Sequence, residues 1–527
     1  MEMSGFSGFE VSYVAAMSLR RFRPGTEAMI VAALSSATFV YIYSWPQLLG
    51  TADEAHFLYQ SREILAGRVP YRDLFEFYTP LSFFLMAGAF ALFGVKLATA
   101  KVFMALVHAL TVGLVFKAGR RVGVRRSLAG AASILYLVIG PSAWPYASPH
   151  WIAACLLVAL LFVLTKRPLE KKSLVWLGLL TGLLTATQQQ VGVPIAIGIG
   201  LVLIAESLLD RRAGQSTSVR ELTQRVGMFA ATAVGTTSAV LLTVMISAGP
   251  MPLFEQLVLH PLTGYRSNIQ ADWGVVQGLT QWLAFYTLPA LLRVLSPGLL
   301  AISLLRLVIA SRAPLPSAFG NLPAQTIHLF FCVCSVLYYP DFIHLAFISS
   351  VVLVVGAETM EWALARLEAM TSVPRLGALV SLTLVLLSIA RLSATRVDLH
   401  DKFHLAHETA FGWVDFQSEK HRQFFLDVSS ELDQSRDRSL FCYPVYTSLY
   451  LTTGAHNPTR HVVMRPKYLS TAAYDEAIRT LDAERVQTLV LSPVFLDIDS
   501  DPMYAYVMRN YHCANASSNC LLYRRND

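Results

Sequence analysis

Two consecutive carboxylates, Asp53 and Glu54, open a helix-spaced segment that reads TADEAHFLYQSR over residues 51–62 and follows a charge-free apolar stretch. Over residues 53–65 the spacing puts Glu54, Leu58 and Arg62 on one helix face, with Asp53 and Phe57 on the adjoining one. A carboxylate in a dry, half-enclosed setting holds protons more strongly, which suits a general base. The same residues also fit a local role. Thr51 to Glu54 is a T-x-x-E capping box, and an acid such as Asp53 stabilises a helix N-terminus by charge alone.

Further along, Tyr71-Arg72-Asp73 and Tyr78 follow the carboxylates, and they read either as an interfacial aromatic with a local salt bridge or as part of a groove for an acceptor. His260 and Arg266 share a loop in which Arg266 is the lone cation, which fits either an anion such as a phosphate or an ordinary solvated loop arginine. His260 fits either loop packing or contact with a ligand. Gln188 lies among three consecutive glutamines midway along a long uncharged run, either as a wet turn or as the polar floor of a cavity. Asp341 and His344 stand at the mouth of two apolar stretches, where ionisable groups face a cavity or cap a helix. One Asp and one His are too few ligands for a metal, so no metal site is expected. Arg293 lies mid-span between Pro289 and Pro297, where it meets either a lipid phosphate or an internal carbonyl.

The elements that position these residues are membrane helices. Of the 527 residues, 54% are hydrophobic and only 15% charged, against roughly 25% charged in a soluble domain. That excludes a purely soluble protein and a disordered one. Residues 28–52, 127–165, 173–205, 226–254 and 313–340 contain no Asp, Glu, Lys or Arg. A spanning helix needs about 20 apolar residues, so the two longest runs are helix pairs. Eleven spans are expected, near 28–46, 98–117, 128–145, 150–165, 174–188, 191–207, 228–248, 281–309, 322–338, 343–357 and 376–392, with 80–95 lying in the outer interface. Six cation clusters, including Arg20 to Arg23, Lys117 to Arg126 and Lys166 to Lys172, place the N-terminus in the cytoplasm. Eleven crossings then leave the C-terminus outside, in an inner or plasma membrane. The chain therefore divides into a transmembrane domain, 1–392, with exterior loops 47–97 and 249–280, and an exterior α/β domain, 393–527. Cys155, Cys332 and Cys334 sit in spans as core residues, while Cys513 and Cys520 form either a disulfide or free thiols. Asn515 begins a glycosylation acceptor sequence. No Gly-rich nucleotide motif occurs, and nothing points to nucleic acid.

The segment after the first span resembles the first exterior loop of GT-C superfamily glycosyltransferases, nearest the branch of protein O-mannosyltransferases and the lipid A aminoarabinose transferase. The likeness rests on Asp53-Glu54, Phe57, Arg62, Gly67 and Phe77-Tyr78-Thr79-Pro80. It covers roughly residues 20–390, with specific motifs only in 51–95. It implies an α-helical polytopic membrane protein with a C-terminal α/β soluble domain, acting as an inverting glycosyltransferase. The donor would be a polyprenyl-phosphate-linked sugar, the acceptor a hydroxyl on a glycan, lipid or protein, and membrane lipids would surround it. Asp53 would be the base, with Glu54 beside it. Arg266, Arg62 and Arg72 would hold the donor phosphate, and Tyr71, Tyr78, Gln188, His260, Asp341 and His344 would contact substrate. No cofactor is implied with certainty, and a divalent metal is left open. Thr79 stands where close relatives have Lys, Ser148 where some have an acid, and Thr187-Gln188 where the family has a Thr-Lys pair. The rival readings are a polysaccharide polymerase or ligase with a polyprenyl-diphosphate donor, a transporter, and an inactive binding module of the same architecture.

Overall fold

The computed structural model describes residues 24–50, 52–166, 169–212, 218–265, 273–274, 280, 288–311, 320–371, 375–435, 437–464, 469–492, 501–514 and 521–526. Thr51, Arg266, Asn515 and Cys520 lie outside the described residues.

Each charge-free run contributes helix among its described residues. The chain begins with α1 (Pro24–Tyr43), α2 (Asp53–Leu65), α3 (Leu81–Phe93), α4 (Leu97–Arg121), α5 (Arg126–Ile139) and α6 (Pro149–Leu164). It continues with α7 (Lys171–Thr187), α8 (Gln189–Arg212), α9 (Val219–Ala248) and the short α10 (Pro250–Phe254), which runs on as two π-helical turns, Glu255–Leu259 and Pro261–Tyr265. Then follow α11 (Leu292–Ser311), α12 (Leu322–Cys334), α13 (Phe342–Phe347), α14 (Ser349–Thr371) and α15 (Leu376–Lys402). Among the described residues, seven helical stretches are long and apolar enough to cross a membrane: Gly25–Tyr43, Leu97–Arg121, Gln189–Asp210, Val219–Ala248, Leu292–Ser311, Phe342–Thr371 and Leu376–Lys402. Four more apolar helices, Leu81–Phe93, Arg126–Ile139, Pro149–Leu164 and Leu322–Cys334, are shorter. The protein is an integral membrane protein.

The two longest charge-free runs fold as pairs. Residues 127–165 give α5 and α6, broken where Ser148 caps the second helix by accepting from the His150 amide. Residues 173–205 give α7 and α8, broken at Gln188. α3 has 13 residues, about 20 Å at 1.5 Å per residue, short of a 30 Å hydrocarbon core.

Cations of the predicted clusters find acids on neighbouring helices. Arg120 meets Glu27 at 2.9 Å, Arg125 meets both Glu361 and Glu368 at 2.8 Å, and Arg306 meets Glu358 at 2.6 Å. All of these residues are at least half-buried, so the pairs tie helix ends together rather than decorating the surface.

α15 runs to Lys402, ten residues past the predicted boundary at 392. Beyond it, β1 (Leu405–Thr409) and β2 (Gly412–Phe416) form an antiparallel hairpin, followed by α16 (Glu419–Gln434). A four-stranded sheet comprises β3 (Leu440–Tyr443), β4 (Thr488–Leu491), β5 (Tyr511–Cys513) and β6 (Leu522–Arg525), in the order β3-β4-β6-β5. β3 and β4 are parallel and the other pairs antiparallel. All residues of β3 and β4 are buried, as expected for strands covered on both faces. Helices α17 (Ser448–Thr452), α18 (Thr471–Ala483) and α19 (Pro502–Asn510) complete this part. Cys513 is disulfide-bonded.

This sheet does not hang from the membrane helices by a linker. One continuous apolar core joins Phe57 and Leu58 of α2, Phe83 and Phe90 of α3 and Trp151 of α6 to Phe424, Leu440, Tyr450 and Val490. A second core, with Phe441, Tyr474 and Val507, fills the other face of the sheet.

Candidate active site

α2 is where the two carboxylates part company. Asp53, its first residue, is exposed and lines a cavity of about 370 Å³. Glu54 is 5% exposed and turns away from that cavity, toward a pocket of about 40 Å³ shared with Lys101, His108 and Tyr146. Its two oxygens accept from the Gly50 and Ala147 amides, both at 2.6 Å. Burial pushes the Glu54 carboxyl up to about 7, while the two amides pull it down. Among the described residues no side chain caps α2, and Glu54 fixes the entry to the helix by reaching back to Gly50.

The larger cavity gathers residues from six places in the chain. α2 supplies Asp53, His56 and Phe57. The loop before α3 supplies Phe75, Phe77 and Tyr78. Ser148 and His150 come from the start of α6, His260 from the π-helical turns, and Asp341 and His344 from the start of α13. The C-terminal part closes it with Val462, Val463 and Leu469. Of the residues predicted to act, Asp53, Tyr78, His260, Asp341 and His344 thus share one cavity. Its walls are mostly aromatic, with polar tips at a few points, the usual character of a small-molecule site. His150 stacks on Phe347 at 4.3 Å between ring centroids, and Phe75 meets His260 edge-on at 5.1 Å. Burial pushes the His260 imidazole down, against the pull of Glu76. Asp341 Oδ1 caps α13, accepting from the His344 amide at 2.8 Å and meeting the His344 ring Nδ1 at 2.7 Å. Among the described residues no Lys or Arg lines the cavity, and no group of three His, Cys, Asp or Glu could hold a metal ion.

Other predicted residues are placed elsewhere. Arg62 donates to the Tyr450 and Ala455 carbonyls, both at 2.8 Å, pairs with Glu63 and covers the Tyr59 ring. Its guanidinium is used up in docking the C-terminal part on α2. Arg72 is exposed and pairs with Asp73 at 2.8 Å, outside the cavity. Tyr71 is fully buried at a positive φ of 66°, and its hydroxyl donates to the Tyr78 carbonyl at 2.7 Å, so it shapes the loop behind Tyr78 rather than facing an acceptor. Gln188 is buried off the cavity, with neither amide atom hydrogen-bonded. Its neighbour Gln189 does the tethering: Oε1 accepts from the Thr79 amide and Nε2 donates to the Phe77 carbonyl at 2.6 Å. Thr79, where relatives have Lys, is buried and donates to the Thr185 carbonyl. Arg293 is buried and donates to the Pro340 carbonyl at 3.1 Å, holding the turn that carries Asp341. Arg266 lies outside the described residues.

His56, Glu76 and His150 went unnoticed in the sequence. His56 follows Asp53 by one helical turn, a spacing that could have flagged it. Glu76 is 2% exposed and accepts from the Phe77 and Tyr78 amides and from His56. Nothing in its sequence setting announces that.

No family model matches the chain, and no curated protein matches it. Solved structures do. ArnT from Cupriavidus metallidurans bound to undecaprenyl phosphate superposes with a TM-score of 0.57 at 15% identity, over 94% of this chain and 97% of that one. The same protein in the apo state gives 0.55 at 15% identity, over 93% and 96%. Arabinofuranosyltransferase AftD from Mycobacteria gives 0.48 at 14% identity, over 92% of this chain and 38% of that one. The overlay with ArnT runs almost from end to end of both chains, and the fold of this protein is that of ArnT.

Proposed function

We propose that the protein is an inverting glycosyltransferase that moves a sugar from a polyprenyl-phosphate donor to an acceptor hydroxyl. The observation that carries this reading is Asp53, an exposed carboxylate on the wall of an aromatic cavity within a GT-C fold. Asp53 takes the proton from the acceptor hydroxyl as its oxygen attacks the anomeric carbon, and the lipid phosphate departs from the opposite face. Aromatic walls suit the apolar faces of a sugar ring, and the histidines and Asp341 suit its hydroxyls. Arg266 supplies the cation for the phosphate. The likeness to ArnT, solved with undecaprenyl phosphate bound, supports a polyprenyl phosphate as the carrier. The cavity, with the C-terminal α/β part that closes it, works on the face opposite the cation clusters, outside the cytoplasm.

The test incubates the purified protein in lipid with polyprenyl-phosphate sugars and measures release of polyprenyl phosphate. Loss of general-base assistance in Asp53→Asn is expected to slow release by about 10²–10⁴-fold at equal amounts of folded protein. Near-wild-type turnover in that variant overturns the role of Asp53, and an absence of release by the wild type with every such donor overturns the reading as a whole.

A further inference from the structure

Among the described residues, two ring nitrogens on the cavity wall have no hydrogen-bond partner, His56 Nδ1 and His150 Nε2. Buried polar atoms are ordinarily satisfied, so each calls for an explanation. For His150 the other nitrogen leans on Ser148 Oγ at 3.0 Å, a weak anchor. For His56 the anchor is a buried carboxylate. Glu76 Oε1 accepts from the Phe77 and Tyr78 amides, and Oε2 lies 2.7 Å from His56 Nε2. With its acceptor side saturated by donors, Glu76 is the acceptor in that bond and Nε2 carries the hydrogen. That fixes the tautomer and leaves the lone pair on Nδ1, the pattern in which a carboxylate prepares an imidazole to receive a proton. Gln60 Nε2 donates to the Phe75 carbonyl at 3.0 Å, and its 3.1 Å approach to His56 Nε2 sets two donors side by side and adds no hydrogen bond to the ring. Asp53 stands one turn earlier on the same face of α2.

We infer that His56, held by Glu76, is a second catalytic residue that relays the acceptor's proton away from Asp53. This rests on the glycosyltransferase reading above. In the step, the acceptor O–H bond breaks and its oxygen bonds to the anomeric carbon. The bond from that carbon to the phosphate oxygen breaks, and its electron pair stays on the phosphate. The proton passes from the hydroxyl to Asp53, then to His56 Nδ1, and leaves to water as the products depart. The imidazolium formed in between faces the Glu76 carboxylate, which offsets its charge. Glu76 is the positioning residue of this pair.

The experiment measures polyprenyl phosphate release by four proteins in lipid: wild type, Asp53→Asn, His56→Ala and Glu76→Gln. His56→Ala is expected to lower kcat by about 10²-fold with KM nearly unchanged, and added imidazole to restore activity in proportion to its concentration. Glu76→Gln keeps an oxygen for the two amides but turns an N–H₂ toward His56 Nε2, which forces the proton onto Nδ1. Its kcat is expected to fall about tenfold or more with KM retained, and imidazole not to restore it, because the His56 ring still fills the place. Asp53→Asn is expected to stay slow with imidazole present. A His56→Ala protein that turns over within about threefold of wild type, or one that is slow and gains nothing from imidazole, overturns the relay, while the slow Asp53→Asn protein leaves the wider reading standing. If the wild type itself releases nothing from any polyprenyl-phosphate sugar, both fall together.

Discussion

Replacing Glu54 with Gln should weaken the protein in a way that depends on pH. Both carboxyl oxygens accept a backbone N–H at 2.6 Å in a setting 5% exposed. The amide of Gln turns one of them into a donor, and either orientation sets it against a backbone donor, at Gly50 or at Ala147. Two opposed buried donors cost about 1–3 kcal/mol each. The wild-type carboxyl adds a second effect. Its value rises from 4.5 to about 7 in the folded protein because burial disfavours the charged form. A group whose folded value lies above its unfolded one stabilises the fold fully below the unfolded value, and that stability is lost as pH rises through the folded value. Over this window the loss amounts to roughly 3 kcal/mol, at about 1.4 kcal/mol per pH unit. Gln does not titrate. The wild type should therefore exceed Glu54→Gln in thermal stability most at about pH 5, and the gap should narrow by about pH 8. The assay is thermal unfolding of both proteins in lipid nanodiscs at the two pH values. A gap that is constant, or that widens with pH, refutes the reasoning, because it would mean that the two amides outweigh burial and that Glu54 is held as an anion.

Two further outcomes follow from the hydrogen bonds. Arg62→Ala strips the Tyr450 and Ala455 carbonyls of their donor and Glu63 of its closest cation; it should cost about 2–4 kcal/mol and expose the C-terminal part to limited proteolysis, and unchanged cleavage kinetics would refute the docking role. Asp341→Asn keeps a capping oxygen for α13 and a partner for His344, so turnover should stay within about twofold, whereas Asp341→Ala should cost about 1 kcal/mol and slow turnover; an inactive Asp341→Asn protein would show that the charge of Asp341, not its cap, is what the cavity uses.

The helices were legible because the membrane forces them to be. A run of 33 residues without charge, such as 173–205, has to satisfy its backbone internally, and the structure supplies α7 and α8 with the break at Gln188. The proposal for Asp53 drew on sequence too, because its neighbours Phe57, Arg62 and Phe77 to Pro80 are close in sequence, and the structure places Asp53 on the cavity wall. What failed to show was anything decided by long-range contact. Arg62 was expected at a phosphate, yet its guanidinium meets carbonyls 388 and 393 residues away. Glu76 sits in a loop with no periodicity, and only the folded loop turns the Phe77 and Tyr78 amides back onto its carboxylate. The apolar side of the cavity, Val462, Val463 and Leu469, comes from a stretch that carries no signal of its own. The choice of Gln189 over Gln188 depends on one residue of helix phase, which a row of three glutamines cannot disclose.

The adjacent acids on α2 show why a pair of identical chemistry divides into two roles. Consecutive helix residues point about 100° apart, so a helix that lies along a cavity wall sends one carboxylate into the cavity and the next into the protein. The base proposed above would have to keep contact with acceptor and water, and Asp53 is exposed at the cavity. A carboxyl group that clamps two amides works best in the opposite setting, a dry site in which neither bond competes with solvent, and Glu54 has that site. Through the clamp, Glu54 ties the chain before α2 to the turn before α6, the turn that also presents Ser148 and His150. The position of Asp53 relative to the far wall of the cavity therefore depends on its neighbour. A substitution at Glu54 should disturb turnover through that distance, and it should do so without removing a proton acceptor from the cavity.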